Sequence, residues 1–525
     1  MLGVPAPQVE RVLPVLHQTQ FDGALAQRAS LTQIKRTFRA GVLALPTHPL
    51  LFCWNPNRMT VSEYTNTIFD EELIRRYDAS GPRYTSYPTA VSFTDSFGES
   101  DYVRAARESN EFPVPGPLSL YFHIPFCDTI CFYCACNKIA TKNHSMVGGY
   151  LERLEREIEM QAALYDSDRV VEQLHWGGGT PTFLNHEEMT ELMEATRKHF
   201  NLRDDDGGDY SIEIDPRSVT PDSIRHLRSI GFNRFSLGVQ DVNPVVQRAV
   251  NRIQPIEMTR DIVNACHEAG ANSVNLDLIY GLPLQTIESF DQTLDEVLKL
   301  SPDRFSVFNY AHLPERFKPQ RRINESELPS GKDKLEILKR TISRLTDEGY
   351  VYIGMDHFAK PDDELVRAQQ EGHLHRNFQG YTTRGDCELI GMGVSSIGKV
   401  FDVYSQNAKD LEPYYAAIDA GHLPVVRGIR LTEDDILRRD VISRLICNFM
   451  LDMSAVEKQY DIGFADYFKD ELKALQPMEE DGLIEVTDGE IRILPRGRML
   501  VRNVCMVFDA HLKQARGEAK FSKVI

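Results

Sequence analysis

The chain has 525 residues, 42% of them hydrophobic and 26% charged, with a formal net charge of −18. That length and composition support two or three globular domains with a sizeable core. The acidic balance excludes a general nucleic-acid binder, because phosphate affinity needs clustered Lys and Arg, and no run of about 18 or more apolar residues offers a membrane span.

Residues 1–58 are acid-poor, with only Glu10 and Asp22 against several Arg and Lys. They show no apolar stretch with a small-residue cleavage site, so a signal peptide is not expected. They read as a disordered or non-native extension ahead of a start at Met59, with an organellar transit peptide as the competing reading. The texture changes at MTVSEYTNTIFDEELIRRYD, and residues 59–115 form an N-terminal segment expected on the substrate side.

From about residue 118, short β-rich runs alternate with helical patterns. The runs are LSLYFHIP (118–125), VEQLHWGGG (171–179), YSIEIDP (210–216), NRFSLGVQ (233–240), SVNLDLIYGLP (273–283) and RFSVFNYAHLP (304–314). Between them lie GYLERLEREIEMQAALY (149–165) and EMTRDIVNACHEAG (257–270). Such alternation implies parallel strands joined by right-handed crossovers. Six units predict an α/β fold, a partial (β/α)6 barrel, over 116–400. The strand ends carry GGGTP, EIDPR, GVQD, DLIYGLP and NYAHLP. Gly and Pro end strands anyway, but that does not account for Glu213, Gln240 and Asp277 at the face where α/β barrels keep their active sites.

Beyond residue 400 a C-terminal domain (401–525) is expected. After about residue 430 it turns helix-rich, with LTEDDILRRDVISRLICNFM, and then runs into GLIEVTDGEIRILPRGRML, a strand–turn–strand pattern resembling a winged helix. It lacks a concentrated basic patch, so packing against the barrel is expected rather than DNA contact.

Four of the nine cysteines fall within ten residues, at 127, 131, 134 and 136. The other five (53, 266, 387, 447 and 505) are scattered and read as small buried apolar residues. One tight cluster in a long acidic chain reads as a metal site in a reducing compartment, the cytoplasm. Cys127, Cys131 and Cys134 form C-x3-C-x2-C on a loop after the first strand. Three thiolates on a four-iron cubane leave one iron open for the amino and carboxylate groups of S-adenosylmethionine, whose reductive cleavage yields a hydrogen-abstracting radical. A structural zinc site with Cys136 as fourth ligand is the alternative. Zinc sites usually pair two knuckles a dozen or more residues apart, however, and here all four cysteines crowd one loop.

The spacing is similar to the radical SAM superfamily signature. The flanking words resemble the oxygen-independent coproporphyrinogen III oxidase family over roughly 60–525. They are RYDASGPRYTSYPTA (76–90), YFHIPFCDTICFYCACNK (121–138), HWGGGTPT (175–182), SLGVQD (236–241), VQRAVNR (246–252), LDLIYGLP (276–283), FNYAHLP (308–314), LHRNFQGYTT (374–383) and IGMGVSSIG (390–398). The resemblance implies one 4Fe-4S cluster on Cys127, Cys131 and Cys134, with S-adenosylmethionine contacted by Tyr121, Gly178, Glu213 and Ile397. It further implies a second S-adenosylmethionine near Tyr133, Gly179, Thr180, Gln240, Arg252, Asp277 and Ala311, a stretch that also reads as the substrate pocket. Cys136 and Tyr121 are the candidate catalytic residues. Cys136 is expected near the reaction and off the cluster.

The implied substrate is coproporphyrinogen III, with an unidentified electron donor and acceptor, and the chain is expected to act as a monomer. Its four carboxylates call for cations, and Arg83, Arg234, Arg321, Arg322 and Arg376 fall in or near the matching words. A haem chaperone of the same branch is the rival reading. Such relatives are expected to lack Cys136 and the PRYTSYP word and to carry a His-Asn…Tyr-Trp element, whereas this chain has HRNFQGYTT.

Overall fold

A computed structural model describes residues 67–514. The expectations for residues 1–58, for a start at Met59 and for Cys53 lie outside the described residues.

Six parallel strands appear where the β-rich runs predict them. They are β1 (Leu118–Ile124), β2 (Val170–Gly178), β3 (Asp209–Ile214), β4 (Arg234–Gln240), β5 (Ser273–Tyr280) and β6 (Arg304–Asn309). Helices between them include α1 (Met146–Ala162), α2 (His186–His199), α3 (Pro221–Ser229), α4 (Ile256–Glu268) and α5 (Ile287–Leu298), and α6 (Gly331–Asp347) follows β6. Local chemistry starts them. Asn185 Oδ1 accepts from Glu188 N at 3.0 Å while Glu188 Oε2 accepts from Asn185 N at 2.8 Å, closing both ends of a capping box on α2. Thr220 caps α3, and Pro221 occupies its first turn, where no amide donor is needed.

The sheet continues past the six strands at both ends. Strands β7 (Val351–Gly354) and β8 (His357–Ala359) add antiparallel to β6, and a separate hairpin joins β9 (His375–Asn377) to β10 (Gly380–Thr382). On the other side β11 (Glu388–Met392) runs parallel to β1. Strands β12 (Ile397–Val400), β13 (Val403–Asn407) and β14 (Val425–Arg430) then follow antiparallel. The order is β7-β8-β6-β5-β4-β3-β2-β1-β11-β12-β13-β14, an open arc rather than a closed barrel. The domain boundary expected at residue 400 therefore falls inside this sheet.

Alternation along each strand divides the side chains. Leu120, Phe122, Leu174, Trp176, Ile212, Phe235, Leu237, Val274, Leu276 and Phe305 are buried. The opposite face is polar and bonds laterally. Ser119 donates to Gln173 at 3.0 Å, Asn275 donates to Ser236 at 3.0 Å, and Ser306 donates to Asn275 at 3.1 Å. In closed (β/α)8 barrels branched apolar residues fill this interior. A polar lining here leaves a chamber suited to a polar ligand.

The rest of the C-terminal region follows the sheet. Helix α7 (Leu411–Asp419) lies between β13 and β14, and α8 (Glu433–Asn448) follows β14, with a small antiparallel hairpin of Ile484–Val486 and Glu490–Ile493. A second compact unit contributes Asp452–Phe468 to the described residues. There Asp452 caps the helix Met453–Tyr460 by accepting from Ala455 N at 2.9 Å, and the rings of Phe464 and Phe468 lie 4.7 Å apart. No helix among the described residues is long and apolar enough to cross a membrane.

Candidate active site

The loop after β1 carries all four clustered cysteines. Phe126–Cys127 pairs in parallel with Ile139–Ala140, so the loop closes on itself. Its path is fixed from outside: Phe132 N donates to Val250 O at 2.9 Å, Asn251 donates to Ile130 O at 2.9 Å, and Gln320 donates to Tyr133 O at 3.0 Å. Cys127 and Cys131 are buried, Cys134 is half-buried and Cys136 is exposed.

The sulfurs sit among donors. Thr180 Oγ1 donates to Cys127 Sγ at 3.4 Å, and the guanidiniums of Arg217 and Arg252 each approach Cys131 Sγ at 3.6 Å. Burial, helped by the neighbouring Cys134 and Cys131 and opposed by the Thr180 hydrogen bond, pushes the Cys127 thiol up to about 11. A hydrogen bond from Cys136 pulls Cys134 down to about 6, against burial and with help from the Lys138 ammonium. Buried thiols beside two guanidiniums and a hydroxyl donor suit a sulfur-rich, electron-accepting group such as an iron–sulfur cluster, whose negative charge those donors would offset. The donor set therefore fits the cluster expected on Cys127, Cys131 and Cys134.

A second row lies on neighbouring strands. Asn137 O accepts from His123 Nε2 at 2.9 Å, so the proton sits there, and burial keeps His123 neutral. Its Nδ1 is then free to accept from the Tyr121 hydroxyl at 3.0 Å. The Tyr121 ring stacks on His175, with centroids 5.8 Å apart and planes 12° apart. His175 Nδ1 meets Ser211 Oγ at 2.7 Å, and Nε2 lies 3.4 Å from Glu213 Oε1. Gly178 N donates to Glu213 Oε2 at 3.1 Å. Desolvation raises the Glu213 pKa, but the hydrogen bonds from His175 and the Gly178 amide outweigh it and hold the carboxyl below its ordinary value. Tyr121, Gly178 and Glu213 thus form one bonded row.

Close packing explains the glycines. Gly178 has φ +113°, and a Cβ there would lie 2.7 Å from the His123 ring, while one on Gly179 would lie 2.6 Å from Pro125 O. Gly391 pairs with Tyr121 across β1 and β11, and a Cβ on it would sit 2.7 Å from Ile397 O, so Ile397 lies one strand beyond the row.

The residues expected at a second S-adenosylmethionine also cluster, with one set apart. Arg252 donates to Asp215 at 3.0 Å and to Gly238 O at 2.6 Å, and its charge is supported by Tyr133, Asp215 and Cys131 against burial. Gln240 has φ +69° at a register shift between β4 and β5, which turns its amide to within 2.8 Å of where a Gly238 Cβ would be. Asp277 accepts from Asn275 at 2.8 Å and from Ser236 at 3.2 Å, and burial with the nearby Glu213 charge pushes it up to about 6. Ala311 lies instead in the lining of a cavity of about 690 Å3 with Tyr280, Asn309 and Lys334, although its neighbour Tyr310 belongs to the apolar cluster against which Tyr133 packs.

Sequence reasoning passed over His123, His175, Asp215 and Arg217. Two signals were present: His123 shares a strand face with Tyr121 at the period of two, and Arg217 stands in the EIDPR strand end. Among the arginines in or near the family words, Arg234 is engaged by carboxylates of the protein itself. It is held by Asp209 at 2.8 Å and Glu364 at 2.7 Å.

Comparison with known proteins decides the family. Residues 121–297 match the profile of the Radical SAM superfamily, and residues 431–500 match the HemN C-terminal domain. The chain is 52% identical over 457 residues to the oxygen-independent coproporphyrinogen III oxidase of Escherichia coli, covering 87% of this chain and 98% of that one. The chain belongs to the oxygen-independent coproporphyrinogen III oxidase family. The relative of the same description from Pseudomonas aeruginosa is 54% identical, over 87% of this chain and 99% of its own. The solved E. coli coproporphyrinogen III oxidase, described as a radical SAM enzyme, superposes with a TM-score of 0.81 at 51% identity, over 85% of this chain and 100% of that one. As a member of this radical SAM family, the chain takes a 4Fe-4S cluster and S-adenosylmethionine.

Proposed function

We propose that this chain converts two propionates of coproporphyrinogen III to vinyl groups, giving protoporphyrinogen IX. For each propionate carboxylate the products are a vinyl group, carbon dioxide, one hydrogen atom and one electron. The observation that carries the reading is the Tyr121–His175–Glu213–Gly178 row beside the cysteine loop, at the ends of parallel strands, in a family member aligned over nearly the full length of its relatives.

The cluster and S-adenosylmethionine supply abstraction of hydrogen from an unactivated carbon when bound. Cys127, Cys131 and Cys134 would hold the cluster. Glu213, kept ionised, would accept from the amino group of S-adenosylmethionine, and Gly178 would let the ligand approach the backbone. Neutral His123 would keep the Tyr121 hydroxyl turned inward and so orient its ring. Thr180 and Arg252, beside the sulfurs, would raise the ease with which the site accepts an electron. Cys136, exposed and bonded to Cys134, would act outside the ligand set, moving a proton or an electron at its sulfur. A second S-adenosylmethionine would lie toward Thr180, Gln240, Arg252 and Asp277. The partners would be a soluble electron donor and an electron acceptor, and the compartment the reducing cytoplasm, since all eight described cysteines are free thiols.

The test is anaerobic reconstitution with iron and sulfide, followed by incubation with S-adenosylmethionine, a reductant, cell extract as acceptor and coproporphyrinogen III. Protoporphyrinogen, carbon dioxide and 5′-deoxyadenosine are expected together. Cluster assembly with tight haem binding and no turnover would overturn the reading.

A further inference from the structure

The five arginines in or near the family words are not equivalent in the structure. Arg83 is paired with Asp356 at 2.5 Å, and Arg234 is held by two carboxylates. Arg321 Nε donates to Pro314 O at 2.9 Å, and the Arg322 guanidinium lies over the Phe132 ring at 5.3 Å. Arg376 differs: its Nε and Nη1 are buried and have no hydrogen-bond partner among the described residues. Its guanidinium lies 5.0 Å from the centre of the Tyr381 ring, which its partner position on β10 presents.

Position in the fold gives these unmet donors meaning. The Tyr381 ring meets His357 edge-on, with centroids 5.1 Å apart. His357 sits opposite Ser306 on the neighbouring strand, and Ser306 donates into the Asn275–Asp277 pair that lines the polar chamber. His357 Nδ1 is itself buried and unpartnered among the described residues. Between β9 and β10, Phe378 stands edge-on to Tyr404, with centroids 5.9 Å apart, and packs against the same apolar cluster as Ile397. The hairpin therefore reaches from the Ile397 side of the S-adenosylmethionine site to the Asp277 side of the chamber.

A buried guanidinium with unsatisfied N–H groups is costly unless an anion meets it, and a carboxylate is the anion the porphyrinogen carries. We propose that Arg376, with His357 and Tyr381 beside it, binds a propionate carboxylate of the porphyrinogen and so anchors the substrate in the chamber. The assignment rests on the proposed reaction. It selects one cation among five and gives the β9–β10 hairpin a role in substrate choice.

The experiment uses the reconstituted holoenzyme and its R376Q and R376K variants. Fluorescence titration with coproporphyrin III is compared with titration by its tetramethyl ester, and S-adenosylmethionine binding and iron content are measured alongside. R376Q is expected to weaken coproporphyrin III binding about ten- to a hundredfold and to raise KM for coproporphyrinogen III in step. Affinity for the ester, affinity for S-adenosylmethionine and iron content should match the wild type, and R376K should fall between. Should R376Q fail to accumulate, R376K carries the same acid-against-ester comparison, with a smaller loss confined to the acid. Equal loss for acid and ester would overturn the assignment, as would unchanged porphyrin affinity. Loss of S-adenosylmethionine affinity with porphyrin binding intact would overturn it too, by giving the carboxylate to the methionine moiety. A wild type that neither binds nor converts the porphyrinogen would instead defeat the proposed reaction itself.

Discussion

Cysteine position decides chemistry within a ten-residue loop. Cys127 and Cys131 are buried beside Thr180, Arg217 and Arg252, whereas Cys136 is exposed and hydrogen-bonded to Cys134. Replacing Cys127, Cys131 or Cys134 with Ser should each remove the brown chromophore and most of the bound iron, as read by absorbance and iron analysis after reconstitution. Cys136→Ser should keep both and lower turnover about a hundredfold or more, within the range of lost proton-transfer groups. Loss of the chromophore in that variant would show four cysteines engaged. Glu213 poses a different question, because hydrogen bonds from His175 and the Gly178 amide hold its carboxyl below the ordinary range. Glu213→Gln keeps the shape and removes the charge. S-adenosylmethionine affinity should fall about tenfold, the scale of a charged hydrogen bond, with iron content unchanged; calorimetric titration reads the first and iron analysis the second.

Strand ends hold the next level of constraint. Gly178 closes β2 with φ +113° and faces the His123 ring, so a methyl there meets both a disfavoured backbone and a ring 2.7 Å away. Gly178→Ala should displace His123 from the Tyr121 hydroxyl and abolish S-adenosylmethionine binding while the cluster still assembles. Retained binding would mean that β2 can shift without disturbing the row. This part of the site was legible in the sequence, since HWGGGTP places close-packed glycines next to a strand, and the six parallel strands start within a residue of their expected runs, though the last two end three and five residues earlier. The β9–β10 hairpin was less legible. Each of its strands has three residues, too few to show a period, so Arg376 and Tyr381 gave no sign of facing each other or of meeting His357. Asp215 and Arg217 were visible only as a polar strand end; their bonds to Arg252 and Cys131 join residues that chain order separates.

At the scale of the whole molecule, one buried carboxylate ties the first crossover helix to the far side of the arc. Glu157 on α1 accepts from Gly393 N at 2.8 Å, from Asn407 Nδ2 at 2.7 Å and from the Tyr414 hydroxyl at 2.7 Å. In the sequence it looks like any surface glutamate of an amphipathic helix, because all three partners lie more than two hundred residues away. Two turns away, the Tyr150 hydroxyl donates to His123 O at 2.6 Å, so the same helix supports the residue that orients Tyr121. Burial pushes Glu157 from 4.5 up to about 7, although its three donors oppose the shift. Between those two pH values the folded protein holds a proton that the unfolded chain has released, so this group's contribution to stability is full below pH 4.5, falls as pH rises and is gone above about 7. Glu157→Gln cannot titrate and loses that slope. The apparent melting temperature of the variant relative to wild type, taken anaerobically at one scan rate, should therefore rise from pH 5 to 7 and level off above, as the stability difference behind it changes by at most about 1.4 kcal/mol per pH unit. A difference that stays constant across that range would mean that Glu157 is ionised throughout, and that the three donors outweigh burial.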